Sequence, residues 1–240
     1  MFGTTDNLNE HLKYSINEWN NSEYYKKVQL YLKENKIKNF IDVGSCSGGV
    51  SDVFFNNLPS LEKGILIEAI PENYEYIKNR IGPSEKILFI NKALFYNHSH
   101  ITLGSVRTNV GGWSYQSKSN TIKLETTTLE NVIDENKIFL NGGVNFIKID
   151  IEGAEYNIIE NSEILKETPF IEIEFHVNDE YNINYSDSKF LSDSWEPFVK
   201  KHLPNHTLIH GGKTEKVTWP NGQDVIYDGS GFFVLTRLLK

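Results

Sequence analysis

Phe40-Ile-Asp-Val-Gly-Ser-Cys-Ser-Gly-Gly49 joins an apolar run to a turn of glycine and serine, and this segment indicates the fold class most clearly. The apolar run from Asn39 to Val43 predicts a short buried strand, which ends where Gly44 and the serines after it favour a tight turn. Beyond the turn, Val50–Leu58 has the composition of a helix. A strand, a glycine-containing loop and a helix in this order predict the first unit of an α/β domain that binds its ligand at the loop.

The same unit recurs along the chain, which predicts a mostly parallel sheet covered by helices on both faces. The further strands and helices are expected at Gly64–Ala69, Tyr74–Arg80, Ile87–Ile90, Val144–Ile149, Ala154–Leu165 and Phe170–Phe175. The sequence therefore predicts a Rossmann-like α/β fold.

The two ends of the chain depart from this alternation. Apolar residues four apart before the first strand predict two amphipathic helices, which we expect to form a helical cap over residues 1–36 on a core of residues 37–240. Near the other end, Thr207–His210 and Asp224–Tyr227 flank the turn Pro220–Gly222, and Gly231–Thr236 closes the chain. This pattern predicts an antiparallel hairpin at one edge of the sheet.

Composition narrows the class of protein further. The 240 residues carry a net charge of −8, which argues against a nucleic-acid partner, and they form one domain in our interpretation. No apolar stretch has the length of a membrane span, and the polar start lacks the pattern of a secretory signal, so we expect a cytoplasmic protein. The single cysteine, Cys46, excludes an intramolecular disulfide. The sequence does not indicate the oligomeric state.

The glycine loop favours S-adenosylmethionine over a dinucleotide. In the fingerprint G-x-G-x-x-G the middle glycine lets the backbone approach a pyrophosphate, and Cys46 stands at that position here. A ligand without phosphates needs only a tight turn at Gly44 and close packing at Gly48. Glu68 follows Gly44 by 24 residues at the expected end of the second strand, where a carboxylate can accept both hydroxyl hydrogens of a ribose.

Three stretches of the sequence resemble the FkbM family of methyltransferases. They are the glycine loop, Ile67-Glu-Ala-Ile-Pro-Glu-Asn73 and, most specifically, Phe146-Ile-Lys-Ile-Asp-Ile-Glu-Gly-Ala-Glu155, with Thr127-Thr-Leu-Glu130 as a further match. The resemblance covers roughly Phe40 to Phe175. It implies a seven-stranded methyltransferase fold and transfer of a methyl group from S-adenosylmethionine to a hydroxyl oxygen of a sugar, a polyketide or a related metabolite. Ala69-Ile70 replaces the proline-asparagine-proline type of run that relatives often carry after the acid.

The expected strand ends supply the candidate site residues, because ligands of open α/β sheets bind beyond the carboxyl ends of the strands. We expect the cofactor to contact Asp42, Gly44, Ser45, Gly48, Glu68, Ala69, Asn91, Ala93 and Asp150. His176 is the preferred proton acceptor and Asp150 the other candidate, with Lys148 orienting the carboxylate. A divalent ion such as Mg²⁺, held by Asp150, Glu174 and His176, is an alternative way to acidify the acceptor.

Other interpretations of the same residues remain open. Asp150 could cap a helix, and His176 could be a structural residue at a strand end. The Gly104–Thr121 segment, with Arg107, Trp113 and Tyr115, has the composition of a loop that could contact a small-molecule or glycan acceptor. At the level of function, the alternatives are an NAD-dependent oxidoreductase and a non-catalytic partner protein with the same fold.

Overall fold

The structure, a computed structural model, describes residues 5–105, 113–114, 120–176, 178–181, 192–210, 215–218, 224–227 and 233–237. The helices are α1 (Thr5–Asn21), α2 (Glu23–Glu34), α3 (Gly49–Asn57), α4 (Pro71–Ile81), α5 (Leu129–Glu135), α6 (Lys137–Leu140), α7 (Glu155–Asn161), α8 (Glu163–Glu167) and α9 (Ser192–His202). The strands are β1 (Asn39–Val43), β2 (Lys63–Ile67), β3 (Ile87–Ile90), β4 (Ala93–Leu94), β5 (His100–Ser105), β6 (Trp113–Ser114), β7 (Ile122–Thr127), β8 (Phe146–Ile149), β9 (Phe170–Ile173), β10 (His206–His210), β11 (Glu215–Thr218), β12 (Asp224–Tyr227) and β13 (Phe233–Arg237).

Five parallel strands form the centre of the main sheet, in the order β9-β8-β1-β2-β3. The central strand β1 pairs with β2 on one side and with β8 on the other, so the loop after Val43 starts in the middle of the sheet. At the β9 edge, β13 pairs antiparallel with β9, and β10 pairs antiparallel with β13. The five parallel strands confirm the predicted α/β class with a mostly parallel sheet.

The predicted hairpin near the end of the chain is wrong in its pairing. Asp224–Tyr227 pairs with Glu215–Thr218, and these two strands form a sheet of their own. The partner of His206–His210 is Phe233–Arg237 instead. The nearer segment Glu215–Thr218 is separated from β12 by residues 219–223 alone, so this pairing closes a much shorter loop. The predicted turn, Pro220–Gly222, lies outside the described residues.

A second sheet follows β3 and has the order β4-β7-β5-β6. Its first pair, β4 with β7, is parallel, and its other two pairs are antiparallel. Ala93, Ile101 and Leu124 from this sheet pack with Ile70 and Ala154 in a small apolar cluster. The second sheet therefore lies beside the carboxyl ends of the main strands.

Side chains alternate between the two faces of the main sheet, as the strand period of two requires. Ile41 and Ile147 point into the core that includes α5 and α9, whereas Phe40 and Phe146 point into the core that includes α1, α2 and α3. By the same alternation, Asp42, Lys148 and Glu172 lie on the second face, in register across neighbouring strands. Charged residues are thus buried beneath the N-terminal helices.

The N-terminal helices α1 and α2 cover this second face. Trp19 is only 2% exposed and stacks on Tyr25 with ring centroids 3.9 Å apart. Trp19 also meets Phe54 of α3 edge to face, and Asn57 of α3 donates hydrogen bonds to Asn20 and Gln29. Packing therefore fixes both helices against the second half of α3. Among the described residues, no helix combines the length and apolar character that crossing a membrane requires.

Candidate functional site

A cavity of about 1110 Å³ opens at the carboxyl ends of the parallel strands. Eight of the predicted site residues line it: Gly44, Ser45, Glu68, Ala69, Ala93, Lys148, Asp150 and Glu174. Asp42, Gly48, Asn91 and His176 do not line it, although each lies next to residues that do. The volume is at the upper end of the range for small-molecule sites, which suits two ligands that meet in one cavity.

The glycine loop has the tight turn that the sequence predicts. Gly44 has a φ of +83°, and a Cβ atom built there would lie 1.8 Å from the backbone oxygen of Asp150. Gly48 has a φ of +78° and is the residue that precedes α3, where a Cβ atom would lie 2.7 Å from the guanidinium of Arg80. Gly44 therefore lets the end of β1 lie directly against the end of β8.

Both carboxylate oxygens of Glu68 accept a hydrogen bond from a backbone amide. The amide of Cys46 donates to one oxygen and the amide of Ile70 to the other, both at 2.8 Å. Burial raises the pKa of this carboxyl to about 7, although the two amides lower it. Because each carboxylate oxygen has a second acceptor site, Glu68 can still accept a hydrogen bond from a ligand in the cavity.

Asn91 supports the same region from outside the cavity. Its side-chain amide donates to the backbone oxygens of Glu68 at 2.8 Å and Ala69 at 3.1 Å. This contact joins the end of β3 to the end of β2. Asn91 therefore positions Glu68 and Ala69 in this structure.

Asp42 lies beneath the loop and has no exposed surface. Its carboxylate accepts a hydrogen bond from the Ser51 hydroxyl at 3.1 Å and lies 3.6 Å from Nζ of Lys148. Burial raises the pKa of Asp42, and the Lys148 ammonium opposes that rise. Ser45 donates its hydroxyl to the backbone oxygen of Asp42 at 2.9 Å. Asp42 thus holds the loop and Lys148 in place from below.

Lys148 and Asp150 form an ion pair at the floor of the cavity, with Nζ 3.3 Å from Oδ2. Burial raises the pKa of Asp150, but the Lys148 ammonium and the His176 imidazolium together outweigh it, so the net shift is downward. Burial lowers the pKa of Lys148, but the carboxylates of Asp150 and Asp42 raise it above its usual value. Lys148 therefore keeps Asp150 ionised, which makes this carboxylate a weak base.

His176 lies behind Asp150 among three carboxylates. Its Nδ1 is 2.9 Å from Glu155, and its Nε2 is 3.6 Å from Glu174 and 3.7 Å from Glu152. Burial lowers the pKa of His176, but Glu155, Glu174 and Glu152 together hold it well above the usual value. An imidazole that already carries its proton cannot accept another, so this geometry does not favour His176 as the proton acceptor.

The three predicted metal ligands do lie together. Asp150, Glu174 and His176 offer ligand atoms within 4.8 Å of one another. The chemistry of the set fits an ion poorly, because Lys148 already supplies a cation to Asp150 and because His176 would have to lose its proton. Burial and the Asp150 carboxylate raise the pKa of Glu174 to about 8, while the His176 imidazolium lowers it. The predicted magnesium ion therefore finds no support in these residues.

Sequence reasoning missed the wall that the N-terminal helices contribute to the cavity. His11, Tyr14, Ser15 and Glu18 of α1 line it together with residues of α2. These four residues recur three or four positions apart, so they share one helical face, and this spacing is the signal that could have identified the wall. Nδ1 of His11 lies 2.8 Å from the hydroxyl of Ser47 in the glycine loop.

Part of the predicted acceptor loop cannot be placed. Arg107 and Tyr115 lie outside the described residues, and of Trp113 only the backbone is described. The described ends of this segment, β5 and β7, pair with each other beside the cavity, and Ile101 and Leu103 line it. The proposed acceptor contacts of the loop remain predictions.

Comparisons with known proteins were made for the sequence, the family and the fold. A comparison with curated proteins found no match. Among solved structures, a methyltransferase FkbM from Methylobacillus flagellatus KT is similar, with a TM-score of 0.50 and 12% identity over 84% of this chain and 44% of that chain. This chain therefore spans less than half the length of that protein. An O-methyltransferase from Bacillus cereus, solved in complex with SAH, has a TM-score of 0.49 and 13% identity over 98% of this chain and 91% of that one.

The family comparison covers most of the chain. The family model described as the methyltransferase FkbM domain matches residues 42–203, which include the glycine loop, Glu68 and the Lys148–Glu155 segment. The match begins after α1 and α2, so the helical wall of the cavity lies outside it. The sequence resemblance is confirmed: the chain belongs to the FkbM methyltransferase domain family.

Proposed function

We propose that this chain transfers the methyl group of S-adenosylmethionine to a hydroxyl oxygen of a sugar, a glycan or another small metabolite. The observation that carries the proposal is the meeting of the glycine loop, Glu68 and Asp150 in one cavity at the carboxyl ends of parallel strands. Membership of a methyltransferase family supports it. We also propose that β10 and β13 complete the seven-stranded sheet of such enzymes, which their pairing at the β9 edge supports.

The residues that line the cavity suit this cofactor. Gly44 and Ser45 lie where the backbone of the loop is open to a ligand, and Ala69 and Ala93 provide small apolar surfaces nearby. Glu68 keeps an acceptor site for a ribose hydroxyl while two backbone amides fix its orientation. Asp42, Gly48 and Asn91 shape this region without lining it. The residues present therefore fit S-adenosylmethionine.

When bound, S-adenosylmethionine supplies an electrophilic methyl group on a sulfonium. The chain must therefore align the acceptor oxygen and take up its proton. Asp150 lies at the cavity floor and can accept a hydrogen bond from the acceptor or the cofactor, with Lys148 holding its orientation. We assign His176 the role of a positioning residue for Glu174 and Glu152, because Glu155 holds its ring and its proton.

The charge of the chain bears on the kind of acceptor it takes. A net charge of −8 favours an uncharged or cationic acceptor over nucleic acid. A cytoplasmic location remains a prediction from the sequence. Two measurements distinguish the competing functions. An NAD-dependent oxidoreductase binds NAD, and the function of a non-catalytic partner protein is unchanged when both Asp150 and His176 are replaced.

The experiment follows transfer of a labelled methyl group from S-adenosylmethionine to a panel of methyl glycosides and small alcohols. Label in product is expected with the wild type, and Glu68→Ala is expected to lower transfer at low cofactor concentration by about tenfold or more, since a hydrogen bond to a buried charged group is lost. Glu85→Ala, at an exposed carboxylate outside the cavity, is the control. Equal transfer by both variants would remove Glu68 from the cofactor site.

A further inference from the structure

His11 is set apart from the other histidines by its place in the cavity. Of the histidines whose side chains the structure describes, it alone lines this space. It reaches the cavity from α1, which lies outside the residues matched by the family model. The family match therefore says nothing about a role for His11.

The two ring nitrogens of His11 differ in their hydrogen bonding. Nδ1 lies 2.8 Å from the hydroxyl of Ser47, a fully buried residue of the glycine loop. Within the described part of the chain, Nε2 has no hydrogen-bond partner. If Nδ1 carries the ring proton and donates it to Ser47, Nε2 presents a free lone pair. The contact with Ser47 is compatible with this tautomer, because a serine hydroxyl can accept the Nδ1 proton.

The charges around His11 differ from those around His176. Burial lowers the pKa of His11, the Asp150 carboxylate raises it and the Lys148 ammonium lowers it, with a net shift downward. The ring is therefore neutral at pH 7, whereas the carboxylates around His176 keep that ring protonated. Asp150 remains close enough to stabilise an imidazolium that forms during the reaction.

We propose that His11 is the residue that accepts the proton of the acceptor hydroxyl during methyl transfer. In this step the acceptor oxygen forms a bond to the methyl carbon, and the bond between that carbon and sulfur breaks with its electron pair staying on sulfur. The hydroxyl proton passes to Nε2 of His11 and from there to solvent. Ser47 acts as a positioning residue through Nδ1.

This inference rests on the proposed function and is tested with His11→Gln. Glutamine can still form a hydrogen bond with Ser47 but cannot take up a proton near neutral pH. His100→Gln is the matched control, because Nδ1 of His100 also lies 3.1 Å from a serine hydroxyl, that of Ser99, at an exposed position outside the cavity.

Two measurements need no turnover. In NMR titrations of the histidine rings, with His11→Gln for assignment, His11 is expected to titrate below 6.5 in the complex with S-adenosylhomocysteine. Calorimetry is expected to show that His11→Gln binds S-adenosylhomocysteine within about threefold of the wild type, since His11 serves the acceptor. A His11 ring that stays protonated above pH 7, or a loss of cofactor affinity of more than about tenfold, would overturn the inference.

The third measurement is the pH profile of methyl transfer to glycosides that the wild type accepts. His11→Gln is expected to lower the rate by about 10² to 10⁴-fold and to abolish the acidic limb of the profile, while His100→Gln changes neither. Wild-type rates and profile in His11→Gln would overturn the inference. Absence of transfer by the wild type and by His100→Gln alike would instead mark failure of the proposed function, and of this inference with it.

Discussion

The two ends of the cavity are built on different physical principles. At the β1–β2 end, the backbone dominates: a glycine turn, and a carboxylate, Glu68, fixed by two backbone amides. At the β8–β9 end, side-chain charges dominate, with Lys148 between two carboxylates and His176 among three. The first end suits recognition of a fixed cofactor shape. The second end suits proton and charge control at the reacting group.

The two ends adjoin where β1 pairs with β8, and just beyond these strands Gly44 approaches the backbone oxygen of Asp150. We therefore expect a substitution at either end to affect the other end by shifting β1 relative to β8. Substitutions confined to one end therefore show how strongly the two ends are coupled.

Removing the central cation is expected to have the largest effect on stability. Lys148→Met leaves the buried Asp42 without its ammonium partner and Asp150 without the group that keeps it ionised. Breaking a buried pair in this way costs about 3–5 kcal/mol of unfolding free energy. Urea denaturation at pH 7 measures it, with Lys200→Met, which breaks an exposed pair with Glu196, as the control. A loss below about 1 kcal/mol would mean that the charged end contributes little to the fold.

The second largest effect is expected at the contact between the two ends. Gly44→Ala places a Cβ atom against a backbone oxygen and imposes a positive φ on alanine, so the free energy of unfolding should fall by about 2–4 kcal/mol. Gly82→Ala is a matched control, because its φ is +74° but nothing lies within 4 Å of the added atom. The control measures the cost of a glycine-favouring backbone conformation without the steric contact, about 1–3 kcal/mol. Equal losses in both variants would show that the contact with Asp150 is not tight.

A smaller effect, and one that depends on pH, is expected from His176→Gln. The folded-state pKa of His176 is raised, so its stabilising contribution is fully present below the usual value near 6.5 and is lost as pH rises through the folded-state pKa. The variant should be less stable than the wild type by about 1–2 kcal/mol at pH 6, with the gap narrowing at alkaline pH. Thermal unfolding at a series of pH values measures this gap. A gap that widens with pH would mean that the ring is neutral in the folded protein.

The smallest effect is expected from removal of metal. Lys148 supplies the cation beside Asp150, and we therefore expect labelled methyl transfer to be the same in EDTA as in magnesium chloride. The melting temperature is also expected to be unchanged. Loss of transfer in EDTA with recovery on adding magnesium would reinstate Asp150, Glu174 and His176 as metal ligands.

The contrast between the two ends also explains what the sequence could predict. The glycine loop and Glu68 are local features, since a turn after a buried strand and an acid at the next strand end are visible in one dimension. The eight predicted residues that line the cavity all follow from strand ends. His176 was recognisable as a strand-end residue, but its partner Glu155 is 21 positions away on a helix, so its protonation could not be deduced.

The missed residues depend on packing between distant segments. His11 meets Ser47 across 36 positions because α1 packs on α3, and the apolar spacing of α1 does not say which element it covers. The pairing of Asp224–Tyr227 was also wrong, because alternation along a strand does not identify its partner. The sequence thus predicted site residues that belong to a single strand and its loop, but it did not predict contacts between segments that are distant along the chain.

Calorimetric titration of the purified protein with S-adenosylhomocysteine, and separately with NAD, shows which ligand the cavity binds. We expect saturable binding of S-adenosylhomocysteine, weakened in Glu68→Ala, and no binding of NAD. Binding of NAD, or the absence of any heat with S-adenosylhomocysteine, would contradict the assignment of this cavity to S-adenosylmethionine.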